Sequence, residues 1–184
     1  MNFIERLNGP PILFDGGMGT ELYQRGVYVN QCYDELNCIQ PDLVKAVHAD
    51  YLKAGAEAIE TNTYGANRYK LDIYNLASDA SKINLRGAQI AREAVETSNK
   101  NAYVAGSIGP LGVRIAPLGT IELSDARSAF KEQAESLIAG GVDLISIETM
   151  VEVSELEQAV IAVREVSDIP IAAQITVSNW YEDT

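Results

Sequence analysis

Gly140-Gly141-Val142-Asp143-Leu144-Ile145-Ser146-Ile147-Glu148-Thr149 reads as one complete structural step. Glycines stop a helix, an apolar run makes a buried strand, and a carboxylate beside a hydroxyl closes it. The step has an earlier echo in Ala54-Gly55-Ala56-Glu57-Ala58-Ile59-Glu60-Thr61, again ending in Glu-Thr. Between the two lie units of similar length, as a repeated βα module requires.

Working outward, Pro11-Ile12-Leu13-Phe14 is a short apolar strand that stops at Asp15-Gly16-Gly17-Met18-Gly19-Thr20-Glu21-Leu22, whose polar residues can open a helix. Val27 to Cys38 is mixed and reads as irregular. A helix opens at Pro41, carries Leu43, Val44, Val47, Tyr51 and Leu52 on one face, and stops at Gly55. Tyr64 to Leu76 reads as a loop, after which Ser78 or Asp79 caps a second long helix through Val95. Ala102–Gly106 is a third strand. A loop rich in glycine and proline runs to about Leu123, where Ser124 caps a helix that ends at Gly140-Gly141. Beyond the quoted step, a helix spans roughly Ser154 to Val166, and a fifth strand covers Ile169 to Thr176. Val177 to Thr184 shows no clear element.

Strand alternating with helix implies a parallel sheet. Two α/β architectures fit: an open doubly wound sheet, or part of a (β/α)8 barrel of the TIM type represented by about its first five strands. The strand ends favour the barrel. Asp15, Glu60-Thr61-Asn62, Ser107, Glu148 and Thr176 all fall at C-terminal ends, which share one face of a closed parallel sheet. No linker or low-complexity tract divides the chain, so residues 1–184 are expected to form part of one domain.

Nearly half of the 184 residues are hydrophobic, enough for a substantial core. Fourteen basic against 26 acidic residues give a net charge of −12, which repels phosphate backbones and anionic lipid. Nucleic acid and membrane surfaces are therefore poor partners. The N-terminus lacks the apolar core of a secretory signal, and no apolar run approaches the ~20 residues that span a bilayer. Two cysteines without an export signal fit a cytoplasmic protein with free thiols.

Asp15-Gly16-Gly17 can grip both ends of a zwitterion, with the carboxylate on a cation and backbone N–H groups on an anion. It is neither a dinucleotide fingerprint, because G-G-x-G breaks that spacing, nor a P-loop, because the lysine is missing. A plain strand-to-helix turn also fits the pattern. Glu148 after its apolar strand is either a second clamp for an ammonium or an ordinary helix-leading carboxylate. An acid/base pair with Asp15 is the third option. Ser107-Ile108-Gly109-Pro110 has no histidine to activate a serine nucleophile. Five residues separate Cys32 from Cys38, unlike the closely spaced pairs of zinc fingers. His48 shares a helix with Val44, Val47 and Tyr51 and reads as packing. Tyr64, Tyr69 and Tyr74 either line a pocket or cover apolar surface, and the second reading is preferred.

Four stretches together resemble the homocysteine S-methyltransferase family. They are Leu13 to Leu22, Ile59 to Leu71 (Glu60-Thr61-Asn62-Thr63-Tyr64-Gly65-Ala66-Asn67-Arg68), Val104 to Gly112 (Gly106-Ser107-Ile108-Gly109-Pro110) and Ile147-Glu148-Thr149. They stand in family order and cover nearly the whole chain. The likeness leans to the N-terminal methyltransferase module of bacterial bifunctional homocysteine methyltransferase/methylenetetrahydrofolate reductase proteins. The homocysteine module of cobalamin-dependent methionine synthase is also similar. The resemblance implies a (β/α)8 barrel that methylates homocysteine to methionine. Asp15 and Glu148 would hold the substrate ammonium, backbone N–H groups around Gly16 and Gly17 its carboxylate, with Thr61 in the same pocket and Glu60, Asn62 and Ser107 near it. Methyltetrahydrofolate, methylcobalamin and S-methylmethionine are all donors within the family.

The family also uses zinc, held by cysteines on later strands, to keep the substrate sulfur as a thiolate. Cys32 and Cys38 do not match those positions. The expectation is an N-terminal portion that carries the amino-acid loops without the metal centre and is inactive or weakly active alone, with a C-terminal half-barrel or self-association covering its open edge. A non-catalytic amino-acid-binding or partner module, and an unrelated barrel enzyme with Asp15 and Glu148 as acid and base, are the competing readings.

Overall fold

The protein is described by a computed structural model covering residues 2–177. The reading of 177–184 as featureless falls, Val177 apart, outside the described residues.

The chain opens with a single helical turn, α1 (Phe3–Arg6), closed by a reciprocal cap. Asn2 Oδ1 accepts the Glu5 N–H at 2.8 Å, and Glu5 returns the bond to the Asn2 N–H. Next come α2 (Met18–Gln24), the short α3 (Leu36–Ile39) and α4 (Pro41–Ala54), which has proline in its first turn. Gly55 ends α4 at φ +115°, a conformation open to glycine and strained for other residues. Strand β1 (Ala58–Glu60), α5 (Arg68–Asp72), a 3-10 turn (Ala77–Asp79) and α6 (Ala80–Ser98) follow. The remainder alternates β2 (Tyr103–Ile108), α7 (Leu123–Ala139), β3 (Leu144–Met150), α8 (Val153–Arg164) and β4 (Ile171–Ile175).

All pairings are parallel, and the strands lie in chain order, β1-β2-β3-β4. A doubly wound sheet reverses its order at a switch point, whereas a barrel winds on without reversal. The helices agree: α4 packs on α6, α6 on α7 and α7 on α8, one continuous outer layer.

Alternation along the strands sorts the two faces. Ile59, Val104, Ile108, Ile145 and Ile147 join Phe130 and Leu137 of α7 in the main apolar cluster under the helices. On the inner face, Ser107 stands opposite Ser146, and Ala105 opposite Leu144. Near the starts of the strands that face is filled by α1. Phe3 buries itself with Ala105, Leu144, Phe14 and Tyr103, its ring edge-on to Tyr103 at 5.4 Å.

Several expectations need correction. The first of five strands, Pro11–Phe14, is reduced to an isolated bridge between Phe14 and Ala58, since only Leu13, Phe14 and Asp15 reach the ladder. Tyr64–Leu76 is not wholly a loop. Asn67 Oδ1 accepts the N–H groups of Tyr69 and Lys70 and starts α5. The stretch from Val27 to Cys38 closes into α3. Helix α7 begins at Leu123, which puts Ser124 inside its first turn, and Asp79 precedes α6 without a side-chain cap.

His48 is fully buried in α4, and neither ring nitrogen has a hydrogen-bond partner among the described residues. Burial pulls its pKa from 6.5 down to about 4. The folded state therefore binds this proton less readily than the unfolded chain. Stability from the neutral ring is full above pH 6.5 and is lost as pH falls from 6.5 towards 4. His48→Leu removes the dependence. Relative to the native chain it should gain about 2 kcal/mol between pH 7 and pH 5. Urea melts at the two pH values measure this, and parallel losses in both proteins would refute it.

Among the described residues no helix is long and apolar enough to cross a membrane.

Candidate functional site

At the C-terminal ends of the strands the inner face opens into a cavity of about 790 Å³. Asp15, Gly16, Gly17, Glu60, Thr61, Asn62, Ser107 and Glu148 all line it, whereas Thr176, the remaining strand-end residue, does not.

Asp15 is fixed from both sides. Its N–H donates to Ala58 O at 3.0 Å, and its two carboxylate oxygens accept the Glu60 N–H at 3.0 and 3.2 Å. Burial pushes its pKa from 3.8 to about 7; the Glu60 hydrogen bond pulls the other way, and the charges of Glu60 and Glu148 add to the rise. Glu60, at the end of β1, is raised by burial and by the charge of Glu148, with the Ser146 hydroxyl opposing.

Glu148 owes its place to a defect in the ladder. Pairing of β3 with β4 runs regularly to Ile147–Ala173 and resumes, shifted, at Met150–Ile175. The extra residue is absorbed by Thr149 at φ +60°, a left-handed conformation uncommon for a β-branched residue. Ser107 donates its hydroxyl proton to Glu148 Oε1 at 2.5 Å and holds the carboxylate. Three carboxyl groups, one after the Phe14 bridge and one each from β1 and β3, thus share one partly dry space, an environment short of positive charge.

The remaining lining residues have other attachments. Thr61 Oγ1 accepts the Ser107 N–H at 2.9 Å and lies 2.6 Å from Thr63 Oγ1, tying β1 to β2. Asn62 Nδ2 donates to Tyr33 O at 2.7 Å and to Asn37 Oδ1 at 3.1 Å, which holds the 33–37 segment against the cavity. The glycine loop leans on α4. Tyr51 Oη donates to Gly17 O at 3.3 Å, and a Cβ on Gly16 would come within 3.0 Å of the Tyr51 hydroxyl oxygen.

Two charged lining residues, Asp34 and Lys70, were not anticipated. Asp34 accepts the Gly65 N–H at 2.9 Å, and burial raises its pKa to about 6. Lys70 extends its ammonium over the Tyr64 ring, 4.3 Å from the centroid. Tyr64 and Tyr74 line the cavity, while Tyr69 packs against the main apolar cluster as expected of a covering residue. The capping asparagine, Asn67, was the sequence signal that could have placed Lys70 on a helix.

Cys32 and Cys38 are free thiols. Cys32 is buried, which raises its pKa to about 11, so it is a poor thiolate ligand. Among the described residues no three His, Cys, Asp or Glu side chains gather to hold a metal ion. The described residues therefore do not fit the zinc that the resemblance implies.

The family model described as homocysteine S-methyltransferase matches residues 12–184. Methionine synthase of Mycobacterium tuberculosis is 33% identical over 179 residues, covering 90% of this chain and 15% of its own length. Methionine synthase of Mycobacterium leprae is 32% identical over 192 residues, covering 97% of this chain and 16% of its own length. The metallated form of the homocysteine methyltransferase MmuM from Escherichia coli superposes with a TM-score of 0.79 at 26% identity, over 91% of this chain and 64% of that one. Its oxidized form gives 0.78 at 26% identity, over 90% and 62%. The chain thus spans less than two thirds of each of these relatives. With the sequential strand order, the match makes the fold an α/β fold of the TIM-barrel type.

Proposed function

This chain belongs to the homocysteine S-methyltransferase family, and from that premise we propose that its cavity binds homocysteine for methylation at the thiol, giving methionine. The observation that carries the reading is the convergence of Asp15, Glu60 and Glu148 on one cavity beside the Gly16-Gly17 loop. A primary ammonium offers three donors and the charge that three crowded carboxyl groups lack. Asp15 and Glu148 are assigned to that ammonium, with Ser107 fixing the direction of Glu148. The N–H groups of Gly16 and Gly17 are assigned to the substrate carboxylate. Thr61 and Asn62 shape the wall, since their polar atoms are engaged in holding β2 and the 33–37 segment.

In the reaction, a sulfur lone pair forms the new S–CH3 bond as the bond from the methyl group to its donor breaks, and the thiol proton is lost. The described residues supply the part of this that orients the amino acid. Ammonium and carboxylate held at separate points leave the thiol as the free end, so a single sulfur position is presented to the donor. Turnover is assigned to the chain only in company with groups that activate the sulfur, and the chain alone is expected to bind without forming methionine at a useful rate.

Titration calorimetry at pH 8 tests the binding reading. Homocysteine and methionine, which share both charged groups, should bind, and 4-mercaptobutanoate, which lacks the ammonium, should not. Equal binding of all three, or no binding of homocysteine, would refute the assignment.

A further inference from the structure

Lys70 lies on the wall of the same cavity, in a setting that the carboxyl cluster does not explain. It sits on α5, which follows β1 through the loop that Asn67 caps. Its stem crosses Gly112, where a Cβ would lie 3.1 Å from both Cγ and Cε. Gly112 holds φ +79°, so the loop after β2 keeps that ground open for the lysine. The ammonium rests over the Tyr64 ring. Tyr64 is itself held by Gly109, where a Cβ would fall 2.4 Å from the ring and 2.7 Å from the Tyr64 carbonyl oxygen.

Two residues away, Arg68 turns outwards and gives Nε and Nη2 to Glu132 of α7 at 3.0 and 2.8 Å. Lys70 has no such outlet. Among the described residues it makes no salt bridge or hydrogen bond through Nζ, and it is the one cation among those lining the cavity, against Asp15, Asp34, Glu60 and Glu148. An aromatic face attracts a cation but accepts none of its protons in a strong hydrogen bond, so three N–H donors remain for a ligand. Burial lowers the lysine pKa, while the charges of Asp34, Glu155 and Glu148 act to keep the ammonium protonated.

We propose that Lys70 binds the carboxylate of the amino acid in this cavity and so makes the site select α-amino acids over simple amines. The inference rests on the homocysteine reading of the cavity. The two carboxylate contacts are complementary. N–H groups of Gly16 and Gly17 give direction without net charge, and Lys70 gives the charge. The cavity then carries negative groups for the ammonium and a positive group for the carboxylate, which matches both charges of the zwitterion.

The test is calorimetric and uses homocysteine together with its decarboxylated counterpart, 3-aminopropane-1-thiol. The native chain, Lys70→Gln and Lys70→Arg are titrated with each after melting curves establish that all three are folded. Loss of one charge-assisted contact should weaken homocysteine binding to Lys70→Gln by about tenfold to a hundredfold. Binding of 3-aminopropane-1-thiol should stay unchanged in that variant, and Lys70→Arg should recover most of the homocysteine affinity. If Lys70→Gln binds homocysteine as the native chain does, or loses both ligands equally, the proposal is overturned while the homocysteine site stands. If the native chain binds 3-aminopropane-1-thiol as well as homocysteine, the proposed selectivity is overturned. If the native chain binds no homocysteine, the reading of the cavity itself falls, and the Lys70 assignment with it.

Discussion

Asp15→Asn is expected to lose homocysteine binding by about a hundredfold while making the fold more stable. The two effects have one cause. Asp15 has its pKa raised to about 7 by burial and by neighbouring carboxyl groups, so its ionised form is held at the expense of the folded state. For a carboxyl group raised from 3.8, this destabilisation is complete above about pH 7 and is relieved as pH falls towards 3.8. Asparagine keeps an oxygen to accept the Glu60 N–H and removes the charge. At pH 8 it should therefore stabilise the fold by about 2 kcal/mol, after allowing for the partial solvent access of the group. The charge it removes is the one assigned to the ligand ammonium. A second signature follows below pH 7. The native chain must release a proton from Asp15 to bind the ammonium, so its affinity should fall by up to about tenfold per pH unit, whereas the variant lacks this titration. Calorimetry across pH 5.5–8 with parallel thermal melts would show both. A variant that is destabilised, or that binds homocysteine normally, would refute the assignment.

The second large effect concerns the frame. Phe130 is fully buried in α7 and belongs to the cluster that joins the helices to Ile108 of β2 and Ile147 of β3. Phe130→Ala should cost about 3–5 kcal/mol, a large part of the ~5–15 kcal/mol typical of a domain. Refilling of the cavity is poor here because the same cluster is rich in alanine, at 88, 91, 126, 129 and 134, whose side chains cannot extend into a gap. Those strands carry Ser107 and Glu148 on their opposite face. Homocysteine affinity of the remaining folded protein should thus change far less than stability does. Urea denaturation gives the first quantity and calorimetry the second. A loss of less than 1 kcal/mol would show that the cluster repacks.

Much of this was legible in the sequence because period and punctuation agree. Gly55 and Gly140-Gly141 end helices where the apolar strands begin, and strand-end polar residues fall on one edge of a parallel sheet. The weak points had physical reasons. Pro11–Phe14 has strand composition but makes a single bridge, and composition does not report the number of ladder partners. The Asn67 cap was outweighed by the glycine, asparagine and arginine around it, which read as loop. Asp34 and Lys70 escaped notice because one accepts from Gly65, 31 residues on, and the other rests on Tyr64 across a turn. Neither pairing has a spacing that a linear pattern reveals. Glu148 was found, but the bulge that sets it could not be, because a ladder defect needs both strands to be seen.

The helical turn at the start of the chain bears on traffic. Phe3 and its neighbours fill the inner face near the strand starts, the end away from the carboxyl cluster. An amino acid bound as proposed would then enter and leave on the strand-end side, where the cavity opens. Under the proposed function, bound methionine and incoming homocysteine compete for one place, so the rate at which the first lets go would bound how often the site is refilled.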